Sequence, residues 1–151
     1  MQKRVDDVVA WRVLRLNGFK SAKLLFDNGD YRGCANRAYY AAYHAATAVC
    51  VKHDDEFARG WNNPSHDQLP DLIRNNGHLP MATRRQIARL LRILREERES
   101  ADYRPGHTLG QVNARDCIHG ATTVLALLEV LDELYDGYCG RSAPVSGRLS
   151  S

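Results

Sequence analysis

Residues 36 to 46 read Asn36-Arg37-Ala38-Tyr39-Tyr40-Ala41-Ala42-Tyr43-His44-Ala45-Ala46. Alanine is the strongest helix former, so this stretch is predicted to be helical, yet it carries an arginine and a histidine. On a helix Arg37 and His44 differ by about 20° around the axis and about 10.5 Å along it. They share a face with Tyr40 between them. Ala41 and Ala48 fall on the same side, which would leave a surface shallow enough for a ligand or a second helix. An arginine and a histidine on such a face can hold and cut a phosphodiester. Arginine supplies a fixed charge for the developing phosphorane, and histidine moves a proton near neutral pH. The 2′-hydroxyl of RNA would be the nucleophile, so no metal or other cofactor is required. Two plainer readings fit the same spacing: an arginine paired with a carboxylate, and a histidine packed among tyrosines.

The elements around this segment follow from periodicity and turn chemistry. Val5 to Asp27 carries Val8, Val9, Trp11, Val13, Leu14, Leu16, Ala22, Leu24, Leu25 and Phe26, much of it at helical spacing. Asn28-Gly29-Asp30 is a stop and a turn. A second helix is predicted from Tyr31 to Lys52, followed by a loop from His53 to Pro64. Ser65 reads as an N-cap with Gln68 as its capping-box partner, and this short helix stops at Asn75-Asn76-Gly77. A fourth helix begins near Pro80, a favoured first-turn residue. Its apolar stripe is Ile87, Leu90, Leu91 and Leu94. Ala101 to Gly110, with Pro105-Gly106, is predicted to be a connection. The last helix spans Gln111 to Tyr138, with Ile118, Ala121, Val124, Leu125, Leu128 and Leu131 as its core face. No strand alternation and no internal repeat is present. The predicted fold is all-α: an antiparallel four-helix bundle with an extra short helix over residues 1–139, and a disordered Ser/Gly-rich tail over 140–151.

Length and composition agree. A chain of 151 residues fits one domain, and it is large enough to bury a core unaided. No apolar run approaches the ~20 residues of a membrane span, and Met1 to Asp7 lacks an apolar signal core, so a cytoplasmic location is predicted. Cys34, Cys50, Cys117 and Cys139 form no CxxC pair and read as reduced, packed residues. Net charge is only +3, but the cations comprise 17 arginines and 4 lysines. Arginine is the better bidentate phosphate binder, although a GC-rich coding sequence would also enrich it.

Three ordered motifs carry a family resemblance. Residues 36–46, preceded by Gly29-Asp30-Tyr31, resemble the signature helix of HEPN domains. Ser65-His66 is similar to a Ser-His pair of the small stand-alone prokaryotic branch, and Arg98-Glu99-Ser100-Ala101-Asp102-Tyr103 to its Arg-x-x-Ala-Asp-Tyr element. The resemblance covers residues 8 to 138. It implies a metal-independent endoribonuclease of a toxin–antitoxin or defence module, with Arg37 and His44 catalytic and RNA as substrate. It also implies a homodimer whose Arg–His faces meet in one cleft, and an antitoxin or nucleotidyltransferase as partner. Active members tend to carry a polar residue directly after the arginine; here that residue is Ala38, and Asn36 precedes instead. The alternative is therefore a non-catalytic module that binds a nucleotide or a nucleotidyltransferase-type partner.

The supporting candidates are Asn36, Tyr40, His66, Arg98, Asp102 and Tyr103. Asp102 and Tyr103 either orient Arg37 or His44, or merely finish the fourth helix. His66 is either a helper or a helix-start residue. The arginines between Arg84 and Arg98 either hold RNA phosphates or pair with Glu96, Glu97 and Glu99. Trp11 and Trp61 could stack on bases, Trp11 reading more as core.

Overall fold

The structure, a computed structural model, describes residues 2–140, with side chains described as far as Glu129. These residues form α1 (Gln2–Asp27), α2 (Tyr31–Lys52), a 3-10 turn (Ala58–Gly60), α3 (Gln68–Arg74), α4 (Met81–Tyr103) and α5 (Gln111–Gly140). The fold is an all-α bundle without strands among the described residues. Of the predicted tail over 140–151, Gly140 ends α5 and the rest lies outside the described residues, as do the side chains of Leu131 and Cys139.

The first turn sets the bundle's direction. Gly29 takes φ +77°, a conformation glycine adopts freely. The N–H of Asp30 bonds to the Leu25 carbonyl at 2.9 Å and that of Gly29 to the Phe26 carbonyl at 3.0 Å, a Schellman ending. Asp30 then starts α2, its Oδ1 accepting from Gly33 N–H at 2.8 Å. The chain reverses within three residues, so α1 lies antiparallel on α2. Gly18 of α1 faces the backbone of Ala41, where an added Cβ would lie 3.5 Å from the Ala41 Cα. Small residues on both sides let the helices come this close.

This contact decides between the two occupants, a ligand or a second helix, that the shallow alanine surface allowed. Ala41 is 0% and Ala48 3% exposed. The second helix that the small residues admit is α1 of the same chain. The alanines of α2 serve its central place, since α2 touches α1, α3, α4 and α5.

Helix α1 forms as expected but buries little of its apolar surface. Val8, Gly18 and Ala22 are its buried residues, whereas Val9, Val13, Leu14, Leu16 and Leu24 are exposed. Val5, Val9, Val13, Leu16 and Leu24 recur every three, four or eight residues, so they line the face opposite the one packed on α2. An apolar helix with two opposed apolar faces shows only a blurred period, which hid the choice of core side.

Ser65 caps α3 by accepting from Gln68 N–H at 3.1 Å. The reciprocal half of the capping box is absent: Gln68 Oε1 is buried without a partner. Ser65, His66 and Asp67 form the turn leading into the helix, which begins at Gln68. Helix α4 continues through Tyr103, so Ala101, Asp102 and Tyr103 are helical and not part of the connection. The break comes at Arg104, the residue before Pro105, which proline bars from the helical region. The freed carbonyls there meet Arg32. Its Nη1 donates to Ala101 at 2.7 Å and to Ser100 at 3.3 Å. Its Nη2 donates to Arg104 and Pro105, both at 3.2 Å, and to the His107 carbonyl. A cation at a helix C-terminus also suits the dipole.

In α5 the buried face is Ala114, Cys117, Ala121, Val124 and Leu128, with Ile118 and Leu125 half-buried at its edge. Cys34, Cys50 and Cys117 are free and buried. Burial pushes the Cys34 thiol up to about 11 and the Cys117 thiol to about 12, which keeps both protonated and unreactive.

Candidate active site

Helix α2 carries a ladder of three side chains. The Arg37 guanidinium carbon lies 5.1 Å from the Tyr40 ring centroid, and the Tyr40 ring lies 5.9 Å from the His44 ring. All three residues are half-buried.

Arg37 is held at its root. Its Nε and Nη2 both donate to Asn36 Oδ1, at 2.9 and 2.6 Å. Asn36 Nδ2 in turn donates to Asp102 Oδ2 at 2.9 Å. The amide thus links a guanidinium to a carboxylate from α4, and Asp102 acts on Arg37 through Asn36. Ala38, on the other side of Arg37, is 0% exposed and packs in the core. A polar residue there would be buried, and the polar contact that aligns the arginine comes from the preceding position.

Arg98 stands behind this group, 7% exposed. Its guanidinium carbon lies 5.3 Å from the Tyr39 ring and 5.9 Å from the rings of both Tyr40 and Tyr103. Its carboxylate neighbours are Asp102 at 3.6 Å and Glu99 at 3.7 Å, and its Nε has no hydrogen-bond partner. Tyr103 is 72% exposed. Elsewhere on α4, Arg92 pairs with Asp71 at 2.9 Å and Arg95 with Asp67 and Glu99.

His66 reaches the ladder from the turn before α3. Its Nδ1 lies 2.6 Å from the Tyr39 hydroxyl, and its ring 5.9 Å from Tyr40. Burial, then the charges of Arg98 and Arg95, hold the imidazole below the ordinary histidine value. Burial pushes the Tyr39 phenol up, against the pull of the same arginines. With both groups neutral, a single proton bridges the Tyr39 hydroxyl and Nδ1, and the tautomer of His66 sets which of them donates. Tyr43 fixes the preceding loop: its hydroxyl donates to the Pro64 carbonyl at 2.6 Å and accepts from Asn63 at 2.8 Å.

His44 sits in the seam between α1 and α2. Its ring lies 5.5 Å from that of Trp11. Burial lowers its pKa, a hydrogen bond to the Leu14 backbone opposes that, and the Arg37 charge lowers it further. Its Nδ1 is buried without a partner. The imidazole is therefore neutral near pH 7.

Asn36, Arg37, Tyr40, His44, His66, Arg98, Asp102 and Tyr103 thus form one contiguous cluster drawn from α2, α4 and the turn before α3. Sequence reasoning did not single out Tyr39, Tyr43 and Asn63, which tie His66 and the loop to α2. The i, i+4 spacing of Tyr39 and Tyr43 was the available signal. Among the described residues no three His, Cys, Asp or Glu side chains gather as a metal site.

Residues 16–131 match the family model of the HEPN domain. This chain belongs to the HEPN family. The matched span runs from α1 into α5 and contains every residue of the HEPN cluster just described. A search of curated proteins finds no match to the chain. Family membership makes this a nuclease-type, RNA-related or nucleotide-binding module, and HEPN domains often act on RNA or form dimers. Among the described residues of this HEPN domain, no helix is long and apolar enough to cross a membrane.

Proposed function

We propose that this HEPN domain is a metal-independent endoribonuclease that works as a homodimer in a cytoplasmic toxin or defence module. The observation that carries the reading is the alignment of Arg37 by Asn36 and Asp102, in stacking order with Tyr40 and a neutral His44. A guanidinium held on one edge leaves its remaining N–H groups for phosphate oxygens. A neutral imidazole can take the proton of the 2′-hydroxyl. The 2′-oxygen attacks phosphorus, Arg37 offsets the charge of the phosphorane, and the P–O5′ bond breaks as an imidazolium formed from His44 returns the proton to the 5′-oxygen. The product ends are a 2′,3′-cyclic phosphate and a 5′-hydroxyl. For either proton step the His44 ring turns away from the Leu14 backbone. Across a two-fold axis, one protomer's Arg37 would complement the partner's His44. Tyr103 supplies an exposed ring for the strand, with the buried charge of Arg98 behind it.

The test is cleavage of varied single-stranded RNAs in EDTA by wild type, Arg37→Ala and His44→Ala. Cleavage by the wild type alone, with cyclic-phosphate ends, is expected. Equal cleavage by all three proteins, or none by any, overturns the proposal.

The enclosed His44 Nδ1 favours a second reading, a non-catalytic module that binds a nucleotide or docks on a nucleotidyltransferase or antitoxin partner. Co-purification with such a partner, without cellular toxicity, would favour it. Toxicity that requires His44 rules it out.

A further inference from the structure

An open groove of about 940 Å³ lies between the first half of α1 and the loop that follows α2. Its apolar lining includes Trp11, Leu14, Phe57 and Trp61, the last 47% exposed. Its carboxylates are Asp7, Asp54, Asp55 and Glu56, against the two cations Lys3 and Arg4. Arg4 is already engaged by Asp54, and one Asp55 oxygen is buried without a partner. On a chain of net charge +3, this is a locally acidic surface. It is the opposite of the cluster built on Arg37 and Arg98, and a polyanion would be repelled from it. From the same loop, the Arg59 guanidinium lies 5.6 Å from the Trp61 ring centroid, a further cation beside the groove.

We infer that this groove docks a basic amphipathic segment of a partner protein, and that its occupant acts on His44 through Trp11 and Leu14. Apolar side chains of the segment would lie on Trp11, Leu14, Phe57 and Trp61, with arginines meeting the carboxylates and the indole faces. Trp11 and Leu14 belong to two structures at once. They line the groove, and they hold His44 by ring contact and by a backbone hydrogen bond. A ligand that shifts Trp11 therefore shifts the histidine's clamp. The docking does not depend on the nuclease reading, because neither its partner nor its readout involves RNA cleavage.

Both tryptophans of the chain line the groove, so their fluorescence reports on it directly. The full chain is titrated with a short amphipathic peptide of leucine and arginine, with its leucine–glutamate counterpart, and with AMP and oligouridylate. The arginine peptide should bind, and Asp7→Asn/Glu56→Gln should weaken it about tenfold, the loss of two surface charge pairs. Trp61→Ala should weaken it as well, and the His44 ring signals should shift on binding. The inference is overturned if the glutamate peptide binds equally, if the variants bind like wild type, or if AMP or oligouridylate is the ligand that fills the groove. Binding with unmoved His44 signals overturns the coupling. All the substituted side chains sit on the surface, and a circular dichroism melt checks that each variant folds.

Discussion

Asn36 of α2 and Asp102 of α4 are joined by a 2.9 Å hydrogen bond, and the same amide holds Arg37 through its oxygen. Removing the amide leaves the guanidinium charged but unaligned. Asn36→Ala is expected to lower RNA cleavage about 10²-fold, as misplacing a reacting group does, with little change in melting temperature. Asp102→Ala should reproduce most of that loss. Steady-state kinetics alongside thermal melts checks both. A fall in stability that matches the fall in activity would count against a positioning role.

Arg37→Lys should fail to rescue Arg37→Ala. Lysine keeps the charge but lacks the planar fork that meets Asn36 and the phosphate together. Both variants should lose about 10²-fold or more in kcat/KM, measured on one RNA at fixed ionic strength.

His44 and His66 are both held below the ordinary histidine value of 6.5. The unfolded chain therefore takes up protons near 6.5 that the folded chain resists. Stability is unaffected well above that value and declines as pH falls below it. Urea midpoints measured from pH 8 to 5 should show this decline, and His44→Asn/His66→Asn should flatten it. In the cleavage reaction, the acid limb of kcat/KM should lie below 6.5.

Arg32→Ala should cost about 2 kcal/mol, since a charged donor is withdrawn from several carbonyls of a helix end. Urea denaturation measures it. Because Arg32 holds the end of α4 that bears Asp102 and Tyr103, cleavage should fall as well.

Gly18→Ala should be neutral or stabilising. The added Cβ would make ordinary contacts of 3.5 Å with Ala41, and alanine favours the helix by about 1 kcal/mol. Gly18→Leu should instead push α1 off α2 and cost about 2 kcal/mol or more. Thermal melts of the two variants separate these outcomes.

Local chemistry made much of this legible in the sequence. The turn at Asn28-Gly29-Asp30 and the stripe from Ile87 to Leu94 each depend on neighbouring residues alone, while the break ahead of Pro105 was expected three residues too early, at Ala101. The Arg37–Tyr40–His44 face followed from helical arithmetic. Three features could not be read that way. The inward side of α1 was ambiguous because Val5, Val9, Val13 and Leu16 make a second apolar face. The partner of the alanine surface was unknown because Gly18 lies 23 residues before Ala41 in the chain. The substitute for a polar residue after Arg37 was hidden because it needs Asp102, 66 residues beyond Asn36. Pattern reports which side chains share a face; only packing reports what covers them.

The same separation orders events during synthesis. The α1–α2 hairpin holds Arg37, Tyr40 and His44 and closes through a turn of three residues, so it can form as soon as it leaves the ribosome. Asp102 is translated much later. The nascent chain thus carries the arginine and histidine together before the arginine is aligned, and that alignment waits for α4 to bring Asp102 to Asn36. A chain truncated before α4 would display the pair yet lack its setting.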